Sequence, residues 1–158
     1  AVRYARGKGP GANIASDMTE LPIGKAVVRR KGSTVALLAF GTMLKPALDA
    51  AEALDATVVD MRFIKPLDTE LIDRMAQQHS LLVTIEENAV AGGAGSAVNE
   101  HLLNQTFTTP ILNMGLPDTF LPHGRVPDML ASVGLDRDGI VAAVRDKLTR
   151  CKIHSQAV

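Results

Sequence analysis

The sequence predicts an α/β protein of three layers, helix over sheet over helix. Its five-stranded sheet should be mostly parallel, with the first strand antiparallel at the edge. Three observations lead there. Residues 35–40 (VALLAF) and 81–86 (LLVTIE) are continuous apolar runs, the pattern of strands buried on both faces. Segments with helical spacing separate such runs at intervals of about 25 residues, which is the rhythm of βαβ units and right-handed crossovers. The first strand is joined to the second only by Lys31-Gly32-Ser33-Thr34. A link that short allows a hairpin and excludes a parallel crossover, which places one antiparallel strand at the edge.

Taken in order, residues 7–24 carry Gly7, Gly9, Pro10, Gly11, Pro22 and Gly24 and read as a linker. Residues 25–30 form a short β-like run. After 35–40, Gly41-Thr42 turns the chain; Thr42 is the expected N-cap, and Pro46 falls in the first helical turn, where its missing N–H costs little. Leu44, Ala47, Leu48, Ala51 and Leu54 recur at helical spacing. Residues 57–63 (TVVDMRF) make the next strand, ended by Pro66. Asp68 caps a helix with Leu71, Ile72 and Met75 on one face. A strand at 81–86 leads through Gly92, Gly93 and Gly95 to a helix bearing Ala97, Val98, His101 and Leu102. A last strand spans 110–116, and helices at 126–133 and 136–150 finish the chain.

Composition narrows the function. A chain of 158 residues with 46% hydrophobic content can bury a core without disulfides or metal, built from aliphatic residues because aromatics are 3%. Lys and Arg total 17, matching 17 Asp and Glu, so no overall basic field draws nucleic acid. No run approaches the ~20 apolar residues of a membrane span, and the start lacks a signal-peptide layout. Cys151 is the single cysteine. A cytoplasmic protein is the expectation, and the opening Ala1-Val2-Arg3-Tyr4 reads as a piece of something longer.

Several constellations invite a chemical reading. Glu86 to Ser96 ends a strand and opens a helix through a glycine-rich turn, a place where α/β proteins hold phosphate. It has neither a Walker lysine nor a dinucleotide glycine register, and two acids stand just upstream. The competing reading, a tight turn for close packing, is therefore favoured. Glu86 and Glu87 are neighbours on a strand, so their side chains face opposite ways and do not form an acid/base couple without a bulge. One of them is free to bond loop backbone. The histidines at 79, 101, 123 and 154 show no metal-ligand spacing. Arg3 and Arg6 suit a grip on phosphate, although a solvated basic strand is the commoner use of such a pair.

These residues resemble a known family. Ala1-Val2-Arg3-Tyr4-Ala5-Arg6-Gly7 is similar to the RYPRG-type strand of 1-deoxy-D-xylulose-5-phosphate synthases, with Ala5 at the usual proline. Leu21-Pro22-Ile23-Gly24-Lys25 resembles their LPIGKG segment, and residues 59–68 (VDMRFIKPLD) their VDMRFVKPLD segment. Residues 83–99 and 112–124 are similar to the VTVEEN…GGAGSxVNE and LNIGLPDxFxxHG stretches. The resemblance implies an enzyme that condenses pyruvate with D-glyceraldehyde 3-phosphate, releasing carbon dioxide, with thiamine diphosphate and Mg²⁺ held by preceding domains. It implies that residues 1–6 end a pyrimidine-binding domain, 7–24 are linker, 25–150 form a transketolase C-terminal-like domain and 151–158 a tail.

By matching position, Arg6 would grip the aldehyde's phosphate, Arg3 less directly. No catalytic, cofactor-binding or metal-ligating residue is expected in the chain, which alone should be inactive. Its partners would be its own N-terminal domains and a second subunit of a homodimer, its role dimerisation and shaping of the site. The alternatives are a 2-oxo-acid dehydrogenase β-subunit and a non-catalytic interaction module.

Overall fold

The computed structural model describes residues 9, 11 and 16–156, with backbone alone for 153–156. Five strands, β1 (Val27–Arg30), β2 (Val35–Ala39), β3 (Ala56–Asp60), β4 (Leu82–Ala89) and β5 (Ile111–Leu116), form one sheet in the order β1-β3-β2-β4-β5. The helices are α1 (Leu44–Leu54), α2 (Thr69–Gln78), α3 (Ala94–Leu103), α4 (Val126–Ser132) and α5 (Arg137–Gln156). β2, β3, β4 and β5 run parallel, and β1 is antiparallel at the edge. The predicted α/β/α class with its antiparallel edge strand is therefore what the chain adopts.

The apolar runs account for the layering. Every residue of β2 is fully buried. Val35, Leu37 and Ala39 face a core shared with α1 and α5, while Ala36 and Leu38 face one shared with α2 and α3. A central strand with no polar position has no face to offer to water, so it can sit only where helices cover both sides. The crossovers leave β2 and β4 in opposite directions: α1 carries the chain to β3 on one side, and α3 carries it to β5 on the other. The carboxyl ends of β2 and β4 thus flank a topological switch point, the usual location of sites in open α/β sheets.

The hairpin that the short link allows is not what forms. β1 is not paired with β2; it pairs with β3, Val27 opposite Asp60 and Val28 opposite Val59, and β3 lies between β1 and β2. A four-residue link reaches roughly 13 Å, enough to step over one strand in a sheet with spacings of about 4.8 Å. It does so tightly. A Cβ on Gly32 would come within 2.4 Å of Asp55 O and the Ala56 carbonyl carbon. Ser33 N and Thr34 N donate to Asp55 O at 3.0 and 3.1 Å. The short link excluded a parallel crossover but did not require adjacency.

Two local expectations also change. Thr42 does not cap α1: it lies in a 3-10 turn at Gly41–Met43, and Met43 occupies the N-cap without a side-chain bond. The strand expected over 57–63 ends at Asp60: Met61 N still donates to Ala39 O at 3.0 Å, but Arg62 takes a left-handed backbone with φ of 56° and turns the chain away. Asp68 does cap α2, accepting from Leu71 N at 3.2 Å. The helix expected to end at 150 continues to Gln156.

Candidate functional site

At the switch point the glycine-rich turn, the paired glutamates and the start of α3 come together. β4 runs on through both glutamates, and its pairing with β5 shifts register between Ile85 and Ala89. Alternation turns Glu86 toward α3, where it is buried, and leaves Glu87 exposed. The Glu86 carboxylate accepts from Ala94 N at 2.7 Å and from Gly95 N at 2.8 Å. It therefore fills the positive end of the α3 dipole with the chain's own negative charge.

The glycines have two separate reasons. A Cβ on Gly93 would lie 2.4 Å from Ala89 O and 2.5 Å from Glu86 Oε2, so only glycine lets the turn close over the carboxylate. A Cβ on Gly95 would meet Thr84 Oγ1 at 2.6 Å and Asn113 Nδ2 at 2.7 Å. Its absence brings α3 down onto a polar ladder: Asn99 Nδ2 donates to Asn113 Oδ1, and Asn113 Nδ2 donates to Thr84 Oγ1, both at 2.7 Å. The packing reading of the turn thus has a concrete basis.

The same geometry decides what the turn can do. A depression of about 300 Å³ beside it is lined by Ile64, Asn88, Gly92, Ser96, Ala97 and Glu100. The amides of Ala94 and Gly95 are engaged by Glu86, and Ser96 N is bonded to Gly93 O at 3.1 Å. With a second carboxylate at Glu100, the turn does not fit a phosphate or diphosphate. Glu87 accepts a hydrogen bond from the Thr42 hydroxyl, tying the loop after β2 to the end of β4. Glu86 and Glu87 are spent on different partners on different faces, so they are not set as an acid/base couple.

Of the histidines, His79 ends α2 with Nδ1 3.0 Å from Met75 O and Nε2 2.7 Å from Thr57 Oγ1. A carbonyl only accepts, so Nδ1 carries hydrogen. Gly32 N donates to Thr57 Oγ1 at 3.0 Å, so the threonine joins α2, β3 and the β1–β2 link. His101 Nε2 lies 2.6 Å from Asp73 Oδ1, bridging α3 and α2. Both are structural contacts between elements. His123 is exposed in the loop after β5. Arg3 and Arg6 lie outside the described residues.

Sequence reasoning missed one charged cluster. Arg29 Nε and Arg62 Nε approach Asp60 Oδ2 at 3.6 and 3.7 Å, at the carboxyl end of β3. Arg29 and Asp60 are brought together by antiparallel pairing that the hairpin reading would have placed elsewhere. The Asn99–Asn113 pair was missed for a similar reason: it joins a helix to the strand that follows it, and nothing in the local pattern announces it.

With this geometry in view, comparison with known proteins decides the family. Residues 24–140 match the family described as "Transketolase, C-terminal domain". The chain belongs to the transketolase C-terminal domain family. Proteins named 1-deoxy-D-xylulose-5-phosphate synthase are similar to it: one from Methylobacillus flagellatus is 59% identical over 150 residues, covering 95% of this chain and 24% of that protein. Another from Thioalkalivibrio sulfidiphilus is 60% identical, covering 94% and 23%, and one from Cellvibrio japonicus is 55% identical over the full 158 residues. The chain spans about a quarter of the length of these relatives. Among solved structures, one described as "Split gene transketolase, inactive beta4 tetramer" has a TM-score of 0.75 at 36% identity, covering 83% of this chain and 44% of that one.

Proposed function

We propose that this chain is the C-terminal portion of a 1-deoxy-D-xylulose-5-phosphate synthase, joining pyruvate and D-glyceraldehyde 3-phosphate with loss of carbon dioxide. The observation that carries this reading is identity of 55–60% along almost the whole chain to proteins bearing that name. Such identity exceeds the 36% to the split transketolase and favours the synthase over neighbouring members of the family.

In this reading thiamine diphosphate supplies the carbanion chemistry in the full-length enzyme, with Mg²⁺ on its diphosphate, and both belong to preceding domains. The Gly92–Ser96 turn does not fit that diphosphate, its amides being engaged by Glu86. Residues 25–150 then act as a domain that pairs subunits and shapes the site from outside, following the linker at 7–24 and the end of a pyrimidine-binding domain at 1–6, with a tail at 151–158. Arg6 grips the phosphate of the aldehyde, with Arg3 in support. The enzyme is a cytoplasmic homodimer, and its partners are its own upstream domains and a second copy. The tetramer named for the split transketolase is in line with self-association through this fold.

The test is pyruvate decarboxylation driven by glyceraldehyde 3-phosphate, measured on the full-length protein and on its Arg6→Ala variant. Turnover in the parent is expected, with kcat/KM for the aldehyde lower by about two orders of magnitude in the variant, mostly through KM. Turnover with other acyl acceptors in place of the phosphorylated aldehyde would move the chain to a neighbouring enzyme.

A further inference from the structure

Two backbone irregularities meet at the charged cluster where β3 ends. Arg62 follows the last ladder bond of that strand, Met61 N to Ala39 O at 3.0 Å. Phe63 N then donates back to Met61 O at 2.5 Å, closing a three-residue turn around Arg62. With φ of 56° at its centre, this is the rare and strained form of such a turn. Glycine would adopt it without cost, yet the position holds an arginine. Strain of this kind, kept where a relaxed residue was open to the chain, is typical of clamps on a ligand.

Arg29 reaches the same place through the second irregularity. Val28 lies opposite Val59 and Arg30 opposite Val58, so Arg29 is the extra residue of a β-bulge, a feature that re-aims a side chain. Arg30 is spent on Ala56 O. Arg29 Nε and Arg62 Nε instead approach one shared oxygen, Asp60 Oδ2, at 3.6 and 3.7 Å. Those separations are too long for hydrogen bonds. Among the described residues, neither guanidinium has another ion pair or any hydrogen bond. Two positive charges therefore face one carboxylate, and the Nη forks that suit an oxyanion are unspent. Water reaches both, the side chain of Arg29 being 45% exposed and that of Arg62 23%. An ordinary surface pair looks different: Arg125 alone grips Asp128 with two bonds of 2.8 and 3.1 Å.

We propose that Arg29 and Arg62 together bind a small oxyanion of the phosphate class, a phosphate ester or free phosphate. The surplus positive charge fixes the sign of the ligand, and the two unspent forks fix its kind, since guanidinium groups bind phosphate oxygens in pairs. Both arginines are needed, because one of the two charges is already balanced by Asp60. The contrast with the glycine-rich turn is direct. There the amides are engaged by Glu86 and no cationic side chain lines the depression. The inference goes beyond the synthase reading and does not call on Arg6.

Modification of arginines by phenylglyoxal in the full-length protein, read peptide by peptide by mass spectrometry, tests this with Arg125 as the internal control. Inorganic phosphate at about 10 mM is expected to slow modification of Arg29 and Arg62 at least about fivefold. Arg125 should be unaffected, and chloride at equal ionic strength should protect none of the three. In Arg29→Gln the protection at Arg62 should vanish, and in Arg62→Gln that at Arg29. Glycerol phosphate run in parallel separates the sources. Half-protection at a lower concentration than phosphate identifies an ester, the reverse identifies free phosphate, and either upholds the site. Equal slowing at Arg125, protection by chloride, or protection that survives loss of the other arginine would overturn the proposal. So would resistance of Arg29 and Arg62 to the reagent with no anion added, because the protein itself would then cover them.

Discussion

Glu86 is the residue that holds the turn into α3. It is buried, and its charge is matched by two amide donors and the α3 dipole, so removing it strands those donors. Glu86→Ala is expected to cost about 3 kcal/mol in urea unfolding. Glu86→Gln should cost less but not nothing, because its NH₂ group meets an amide N–H where an oxygen is needed. A second residue-scale effect lies at the opposite rim. The hydroxyl of Ser33, then its backbone N–H, donate to Asp55 and hold that carboxyl below its ordinary value, with Arg30 adding in the same direction. A depressed carboxyl contributes stability above its unfolded value of about 3.9 and loses it as pH falls through the folded value. Ser33→Ala should therefore lower the Tm modestly at neutral pH, and the gap to the parent should close on acidification below about pH 4. A gap independent of pH would remove Asp55 from the explanation.

At the scale of elements, Asp68 joins two of them. Its Oδ1 caps α2 through Leu71 N at 3.2 Å, and its Oδ2 accepts from Ala26 N at 2.9 Å, fixing the start of β1. Asp68→Ala should cost about 2 kcal/mol. Asp68→Ser should retain most of the cap but not the tether, so amide exchange at Ala26 rises while α2 stays protected. Equal exchange at Ala26 in the parent and the Ser variant would show that β1 is held by its ladder alone. The cap was legible because an acid before a helix-spaced apolar stripe is a local signal. The second role was not, since Ala26 and Asp68 lie 42 positions apart in the sequence. Thr42 failed as a cap for the converse reason: its hydroxyl found Glu87, and the chain entered α1 through a 3-10 turn.

For the whole molecule, the two layers of helices leave the lateral faces of the sheet covered and the carboxyl rim bare of cover for Ile64 and Phe120. The effects at Glu86, Ser33 and Asp68 belong to the domain itself. The proposed grip of Arg6 on phosphate belongs to the full-length enzyme, because it needs a site that other domains complete.

The α/β class, the five strands and the antiparallel edge follow from the sequence by itself, because apolar runs, helical spacing and a four-residue link act over short distances and admit few solutions. The opposite orientation of Glu86 and Glu87 follows in the same way from the period of a strand. Tertiary structure decided the neighbour of β1, the use of Glu86 as an internal anion and the meeting of Arg29, Asp60 and Arg62. Each joins residues far apart in the chain or depends on the end of an element, and there the strand order and the closeness of packing, rather than local preference, select the partner.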